Sequence, residues 1–198
     1  MHKRHASNLL ERLGGREIMQ NRKTLRKHGL STFQMAAAAI FAALVAAVTY
    51  VSAIFIPVAS GGFFNIGEVL IYAAALILGP FVGLIAGAGA AITDILIAPA
   101  YAPATFIIKA LEGFLVGYLM KGFNRKIKSL TLCASMAMLI GGAEMVTGYF
   151  IYETFMWSYP VALVSLPFNI VQMVAGLIIA VPVMHTVLRV FPQLRNYL

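Results

Sequence analysis

The stretch 63-FFNIGEVLIYAAALILGPFVGLIAGAGAAITDIL-96 contains two apolar runs that are separated only by a glycine and a proline. Neither run alternates apolar and polar residues with a period of two, so both are predicted to be helices rather than half-buried strands. We place these helices at 67–78 and 81–97. Because a Gly-Pro pair marks a tight turn, the sequence predicts a helical hairpin here.

The whole chain shares the apolar character of this hairpin. Hydrophobic residues make up 61% of the sequence, charged residues make up 11%, and the mean hydropathy is +0.86. These values indicate a membrane protein, and helices satisfy their backbone polar groups inside lipid. The predicted fold class is an all-α integral membrane protein with six transmembrane helices, at 32–52, 67–78, 81–97, 104–120, 130–153 and 167–189.

The basic residues are distributed unevenly along the chain. Eight of the fifteen Lys and Arg precede the first span, four lie between spans four and five, and two follow span six. The other three connections, 53–66, 98–103 and 154–166, contain none. The positive-inside rule therefore predicts cytoplasmic N- and C-termini. We divide the chain into a basic N-terminal extension (1–30, with Met1 or Met19 as the start), a membrane domain (31–190) and a cytoplasmic tail (191–198).

The connections without basic residues are predicted to lie on the outer face. They are longer than the Gly-Pro turn and are rich in turn-forming residues and aromatic groups. We therefore expect the functional site on this face, with the loop 154–166 as a lid. The residues that mark these loops are Pro57, Gly61, Gly62, Pro99, Pro103, Trp157 and Pro160.

The first span carries two ridges of alanines at four-residue spacing. Small residues at this spacing allow helices to approach closely in a membrane. Two adjacent ridges suggest two partners, one within the chain and one a separate membrane subunit, although both ridges could pack internally. The candidate docking residues are Ala38, Ala39, Ala42, Ala43 and Ala46.

Lys109 is the one basic residue predicted to lie within the membrane. An unpaired lysine there is costly, so it should meet an acid. We expect Lys109 to pair with Asp94 across two helices or with Glu112 one turn along its own helix, either at a cavity or in a purely structural ion network. Glu68 is expected to cap the second helix, because a carboxylate is favourable at a helix N-terminus.

Two acids on span five, Glu144 and Glu153, are nine residues apart and should point to opposite faces. Glu153 shares a face with Tyr149 and precedes Trp157, so it is the better candidate for ligand contact. On span six, Pro167 is expected at the first helical position. That start would put Asn169 and Gln172 on one face at the outer mouth, where amides can bind a ring or hydrogen-bond another helix.

No sequence motif indicates an enzyme, a cofactor or a metal. A phosphate-binding loop, a metal-spaced His pair and a nucleophile elbow are all missing. The segment GAGAAI lies inside an apolar span and does not have the context of a dinucleotide-binding loop. The remaining alternatives to a binding protein are an autonomous ion-coupled carrier, with the buried acids as a proton relay, and a free-standing intramembrane enzyme.

Four blocks in order, the quoted stretch followed by FIIKALEGFLVGYL, GYFIYE and LPFNIVQ, resemble the substrate-binding S components of energy-coupling factor (ECF) vitamin transporters, especially the riboflavin-type branch. The resemblance implies a prokaryotic plasma-membrane protein with a pocket near the outer surface, formed by the last three helices and the first outer loop. It also implies that an Ala-xxx-Ala face docks onto a membrane scaffold subunit with two cytoplasmic ATPases. Gln172 replaces a lysine of the riboflavin binders, and Glu68 an aspartate of many relatives.

The predicted substrate-binding residues carry more acid than base. If Lys109 neutralises Asp94 or Glu112, Glu153 is left beside aromatic and amide groups. This set suits a small, flat, nitrogen-containing ring with amine character, such as a thiamin-precursor-like pyrimidine or a pyridoxine-like pyridine, with a flavin as the second choice. The predicted contacts are Asp94, Lys109, Tyr149, Glu153, Trp157, Asn169 and Gln172.

Overall fold

The computed structural model describes residues 30–56 and 64–198. Residues 1–29 of the predicted N-terminal extension and the loop residues Pro57, Gly61 and Gly62 lie outside these described residues. Within them the chain is helical, and the fold class is confirmed as all-α. The helices are α1 (Thr32–Phe55), α2 (Glu68–Leu78), α3 (Pro80–Ile97), α4 (Ala102–Asn124), α5 (Leu130–Met156) and α6 (Tyr159–Val190), followed by a 3-10 helix (Pro192–Tyr197).

Five of the described helices are long and apolar enough to cross a membrane: α1, α3, α4, α5 and α6. Helix α2 has 11 residues, which corresponds to about 17 Å at 1.5 Å per residue and is short for a hydrocarbon core of about 30 Å. Nearly all its side chains are buried by the other helices. Six membrane crossings and cytoplasmic termini stay predictions.

The hairpin between α2 and α3 is confirmed. Gly79 joins the two helices with φ at +96°, a conformation that favours glycine. Its N–H donates to Ala75 O at 3.0 Å, and Pro80 takes the first position of α3, where its missing N–H costs nothing. The Gly-Pro pair therefore determines this turn as the sequence indicates.

Helices α3 and α4 approach each other backbone to backbone. A Cβ atom on Gly83 would lie 2.3 Å from Gly113 O, and one on Gly87 would lie 1.9 Å from Lys109 O. No side chain fits at these distances, so the glycines allow the close approach that small residues give to membrane helices. This packing places Lys109 deep among the helices.

The predicted loop at 154–166 is wrong, and so is the predicted start of the last helix at Pro167. Helix α5 continues to Met156, and α6 begins at Tyr159, so only two residues connect them. Pro160 occupies the first turn of α6, and Pro167 lies inside the helix. A proline inside a membrane helix is tolerated where neighbouring groups satisfy the freed backbone. A lid at 154–166 is therefore excluded.

The two alanine ridges of α1 have different environments. Ala38 is buried, a Cβ atom on Gly89 of α3 would lie 2.4 Å from Ala42 O, and Thr93 of α3 donates to Ala46 O at 2.6 Å. These contacts lie within the chain, and docking of a partner through Ala38, Ala42 and Ala46 stays a prediction. Ala39 and Ala43 are exposed, and docking through them stays a prediction.

Candidate solute-binding site

A cavity lies where one end of α3, α4, α5 and α6 meets α1 and the segment before α2. It encloses about 580 Å³ of space that no protein atom occupies, open solvent at its mouth included. Most of its lining side chains are polar or aromatic. They are Thr49, Asn65, Asp94, Ala98, Tyr101, Thr105, Lys109, Tyr149, Glu153, Ser165, Phe168, Asn169 and Gln172.

Lys109 forms the floor of this cavity and pairs with two carboxylates. Its Nζ donates to Glu68 Oε2 and, at 3.0 Å, to Glu112 Oε2. Tyr72 in turn donates to Glu112 Oε1 at 3.0 Å. All four side chains are buried. The predicted contact with Glu112 is confirmed, whereas no ion pair with Asp94 forms, so that alternative is wrong.

Glu68 does not cap α2, and that prediction is wrong. Its side chain is turned inward and accepts from Lys109 and, at 3.1 Å, from Gln172 Nε2. Asn65 instead satisfies the helix start, because its Oδ1 accepts from Gly67 N at 2.8 Å. The inward orientation gives the buried ammonium group of Lys109 a second carboxylate partner, and a buried charge without a partner would be costly.

A hydrogen-bonded chain connects the segment before α2 with α1 and α6. Gln172 Oε1 accepts from Asn65 N at 2.8 Å, and Thr49 donates to Asn65 Oδ1 at 3.0 Å. Gln172 thus holds the Asn65 backbone with its oxygen and Glu68 with its nitrogen. This use of both ends of an amide fixes its orientation and positions the start of α2 over the cavity.

Three buried oxygen atoms at the cavity have no hydrogen-bond partner within the described part of the chain. They are Asp94 Oδ1, Glu153 Oε2 and Ser165 Oγ, on residues that are 3%, 4% and 5% exposed. The other carboxylate oxygen of Glu153 accepts from Tyr101 at 3.2 Å. Buried polar atoms are normally paired. The Ser165 hydroxyl lies close enough to Glu153 to interact with its carboxylate, as Thr105 does with Asp94, so the two carboxylates are the acceptors with room for a further donor.

Aromatic rings border the same cavity. Tyr149 donates to Thr105 Oγ1 at 2.9 Å, and Lys109 Nζ lies 5.9 Å from the centre of the Tyr149 ring. The Tyr101 ring lies 5.8 Å from that of Tyr152 and 6.4 Å from that of Trp157. Burial and the neighbouring Glu153 carboxylate raise the pKa of Tyr101, so its hydroxyl stays a donor.

The structure brings together six of the seven predicted contact residues: Asp94, Lys109, Tyr149, Glu153, Asn169 and Gln172 all line the cavity. Trp157 does not line it and is half exposed. Sequence reasoning missed several lining residues, including Thr49, Thr105 and Ser165. Their hydroxyls carry no sequence signal inside apolar runs, whereas Asn65, in the segment NIG before α2, could have been considered as a cap. Ligand contact by any of these residues stays a prediction.

Glu144 lies away from this cavity, as the nine-residue separation from Glu153 predicts. It is half-buried and borders a shallow depression with Ala143, Thr147, Gly148 and Ile151. Across residues 30–56 and 64–198, no group of three or more His, Cys, Asp or Glu is placed to hold a metal ion.

Comparison with known proteins identifies the class of this chain. The family model described as "ECF-type riboflavin transporter, S component" matches residues 29–189. The chain belongs to this family, whose members are membrane transporter subunits that work with a scaffold and ATPases, and not enzymes. The predicted family resemblance is thereby confirmed.

Two individual relatives add detail. An uncharacterized protein from Pyrococcus woesei is 35% identical over 122 residues, which cover 61% of this chain and 79% of the relative. The solved structure of ThiT from Listeria monocytogenes has a TM-score of 0.58 at 18% identity, over 82% of this chain and 96% of the other. This second likeness shows a shared fold.

Proposed function

We propose that this chain is the substrate-capture subunit of an ECF-type importer and binds a vitamin or vitamin precursor in the cavity described above. The observation that carries the proposal is the cavity itself. It combines aromatic walls with buried polar atoms that have no partner in the described chain, as expected of a small-molecule site.

The cavity is proposed to open toward the outer face. Asp94 lies near the end of α3, Thr105 in the first turn of α4 and Glu153 in the last turn of α5. At the opposite ends of α4 and α5, Lys121 lies in the last turn of α4, and Arg125, Lys126 and Lys128 lie in the connection to α5. Since basic connections stay in the cytoplasm, the cavity ends of these helices are assigned to the outside.

Delivery is proposed to require a scaffold subunit and two cytoplasmic ATPases, as in other members of the family. The sequence carries no nucleotide-binding motif, so solute release needs an external energy source. The exposed ridge with Ala39 and Ala43 is the proposed docking face for the scaffold, because small residues let a second helix approach closely.

The solute is first identified by mass spectrometry of the protein purified from its host. The test is then the uptake of this solute, in radiolabelled form, into proteoliposomes. Protein alone is expected to bind the solute without accumulating it. Addition of the scaffold, the ATPases and ATP is expected to start accumulation. Uptake by the chain alone, driven by a proton or sodium gradient, would instead establish an autonomous carrier.

A further inference from the structure

The charges at the cavity do not balance. Glu68, Glu112, Asp94 and Glu153 are all buried, and Lys109 is the only basic side chain buried with them among the described residues. Lys109 is already shared between Glu68 and Glu112. When ionised, Asp94 and Glu153 therefore have no paired cation among the described residues, and an uncompensated carboxylate is costly inside a membrane.

We propose that the solute is a small, flat organic cation whose N–H groups are received by Asp94 at one wall of the cavity and by Glu153 with Ser165 at another. This inference rests on the proposed function, since it assigns the ligand class of the same cavity. It differs from the sequence expectation, in which Lys109 could neutralise Asp94 and Glu153 alone was left for the ligand.

The positions of the open acceptors support two points of contact. Asp94 is on α3 and Glu153 is on α5, so they reach the cavity from different helices. Each presents an oxygen without a hydrogen-bond partner in the described chain, and the Ser165 hydroxyl on α6, which lies beside Glu153, adds a third oxygen. A solute with donors at both ends satisfies all three, and charge-assisted hydrogen bonds to carboxylates are stronger than neutral ones.

Other occupants fit these groups less well. An anionic solute would meet the carboxylates of Asp94 and Glu153, and the ammonium group of Lys109 is already shared between two other carboxylates. A metal ion would need a cluster of ligands, and no such cluster occurs in the described residues. The Tyr101, Tyr149 and Phe168 rings on the cavity wall favour a flat ring, and aromatic faces also attract cations.

Calorimetry on the purified full-length protein with matched solutes tests the proposal. Pyridoxamine and pyridoxine differ by an amine in place of a hydroxyl, and 5-aminomethyl- and 5-hydroxymethyl-4-amino-2-methylpyrimidine form a second such pair. Riboflavin and biotin represent neutral and anionic vitamins. We expect at least one amine to bind at least tenfold more tightly than its hydroxyl partner and more tightly than riboflavin or biotin.

Three variants test whether the preference for the amine depends on Asp94 and Glu153. Asp94→Asn and Glu153→Gln should each reduce the preference for the amine by about tenfold, because a neutral amide replaces a charge-assisted contact. Glu144→Gln, which removes an acid outside the cavity, should leave the preference unchanged.

Two results with the unmodified protein overturn the proposal: tighter binding of riboflavin or biotin than of both amines, and no binding of either amine at millimolar concentration. Two results with the variants overturn it as well: a preference for the amine that survives in both Asp94→Asn and Glu153→Gln, and a preference that is lost in only one of these variants. The proteoliposome experiment does not depend on which solute class binds, so the proposed function can stand while this assignment fails.

Discussion

Lys109 and Glu68 are 41 positions apart in the sequence, yet the amine of the first donates to the carboxylate of the second with both side chains almost completely buried. Glu112 provides the second carboxylate from the same helix as Lys109. The contact joins α4 to the start of α2 and, through Gln172, to α6. The contact therefore links three helices, and its lysine also lines the cavity.

Replacement of Lys109 by methionine should destabilise the protein by about 3–5 kcal/mol, because two buried carboxylates lose their shared cation. The double variant Lys109→Met with Glu68→Gln should recover part of this loss, since one stranded charge is removed. The measurement is thermal unfolding in detergent, analysed as a double-mutant cycle. Lys109→Met with Asp94→Asn is the control and should show no coupling energy between the two positions, and a coupling energy there would restore the ion pair with Asp94.

Replacement of Tyr72 by phenylalanine should cost about 1–3 kcal/mol, because Glu112 Oε1 loses its donor in a buried site. Unfolding in detergent again gives the comparison. Tyr118→Phe is the matched control, since Tyr118 is exposed and its loss of a hydroxyl should change stability little. Equal effects of the two substitutions would show that the Tyr72 contact contributes nothing.

Substitution of Gly87 by alanine should disrupt the close packing of α3 on α4, because the new methyl group would overlap Lys109 O. We expect a loss of about 1–3 kcal/mol or more, as for other overpacked interiors, together with weaker solute binding, since Lys109 must move. Gly122→Ala is the control: apart from the neighbouring backbone of its own helix, no described atom lies within 4 Å of its Cβ position, and alanine favours helix by up to about 1 kcal/mol. Equal stability of both variants would contradict the backbone contact.

The sequence predicts the helices well because apolar runs and the Gly-Pro turn act locally. It also predicts that Lys109 pairs with an acidic side chain, since the free-energy cost of an unpaired charge depends on its position within an apolar span. It does not indicate which acid: Asp94, Glu112 and Glu68 are all near enough in membrane depth. The choice depends on the rotation of α2, which the inward contacts of Asn65 and Gln172 determine.

The start of α6 could not be predicted for a different reason. Two prolines, Pro160 and Pro167, both suit a first helical turn, and sequence alone does not distinguish them. The structure uses the first and tolerates the second inside the helix. Because α6 begins at Tyr159, residues 159–166 of the expected loop form the N-terminal part of this helix. Ser165 lies in this part and lines the cavity.

The two alanine ridges of α1 lead to a final prediction about association with the scaffold. Ala43→Leu places a bulky group on the exposed ridge and should reduce the amount of scaffold and ATPases that co-purify by at least tenfold, because a close-packed helix interface loses its contact distance. Solute affinity and thermal stability should stay unchanged.

Ala42→Leu should act differently: its backbone contacts Gly89 of the same chain, so the variant should lose stability first. Val171→Leu, at an exposed position of α6, is the control for added bulk on another exposed surface. An intact complex with Ala43→Leu would show that the scaffold docks elsewhere, whereas loss of the complex in Val171→Leu would show that bulk at any exposed position disrupts it.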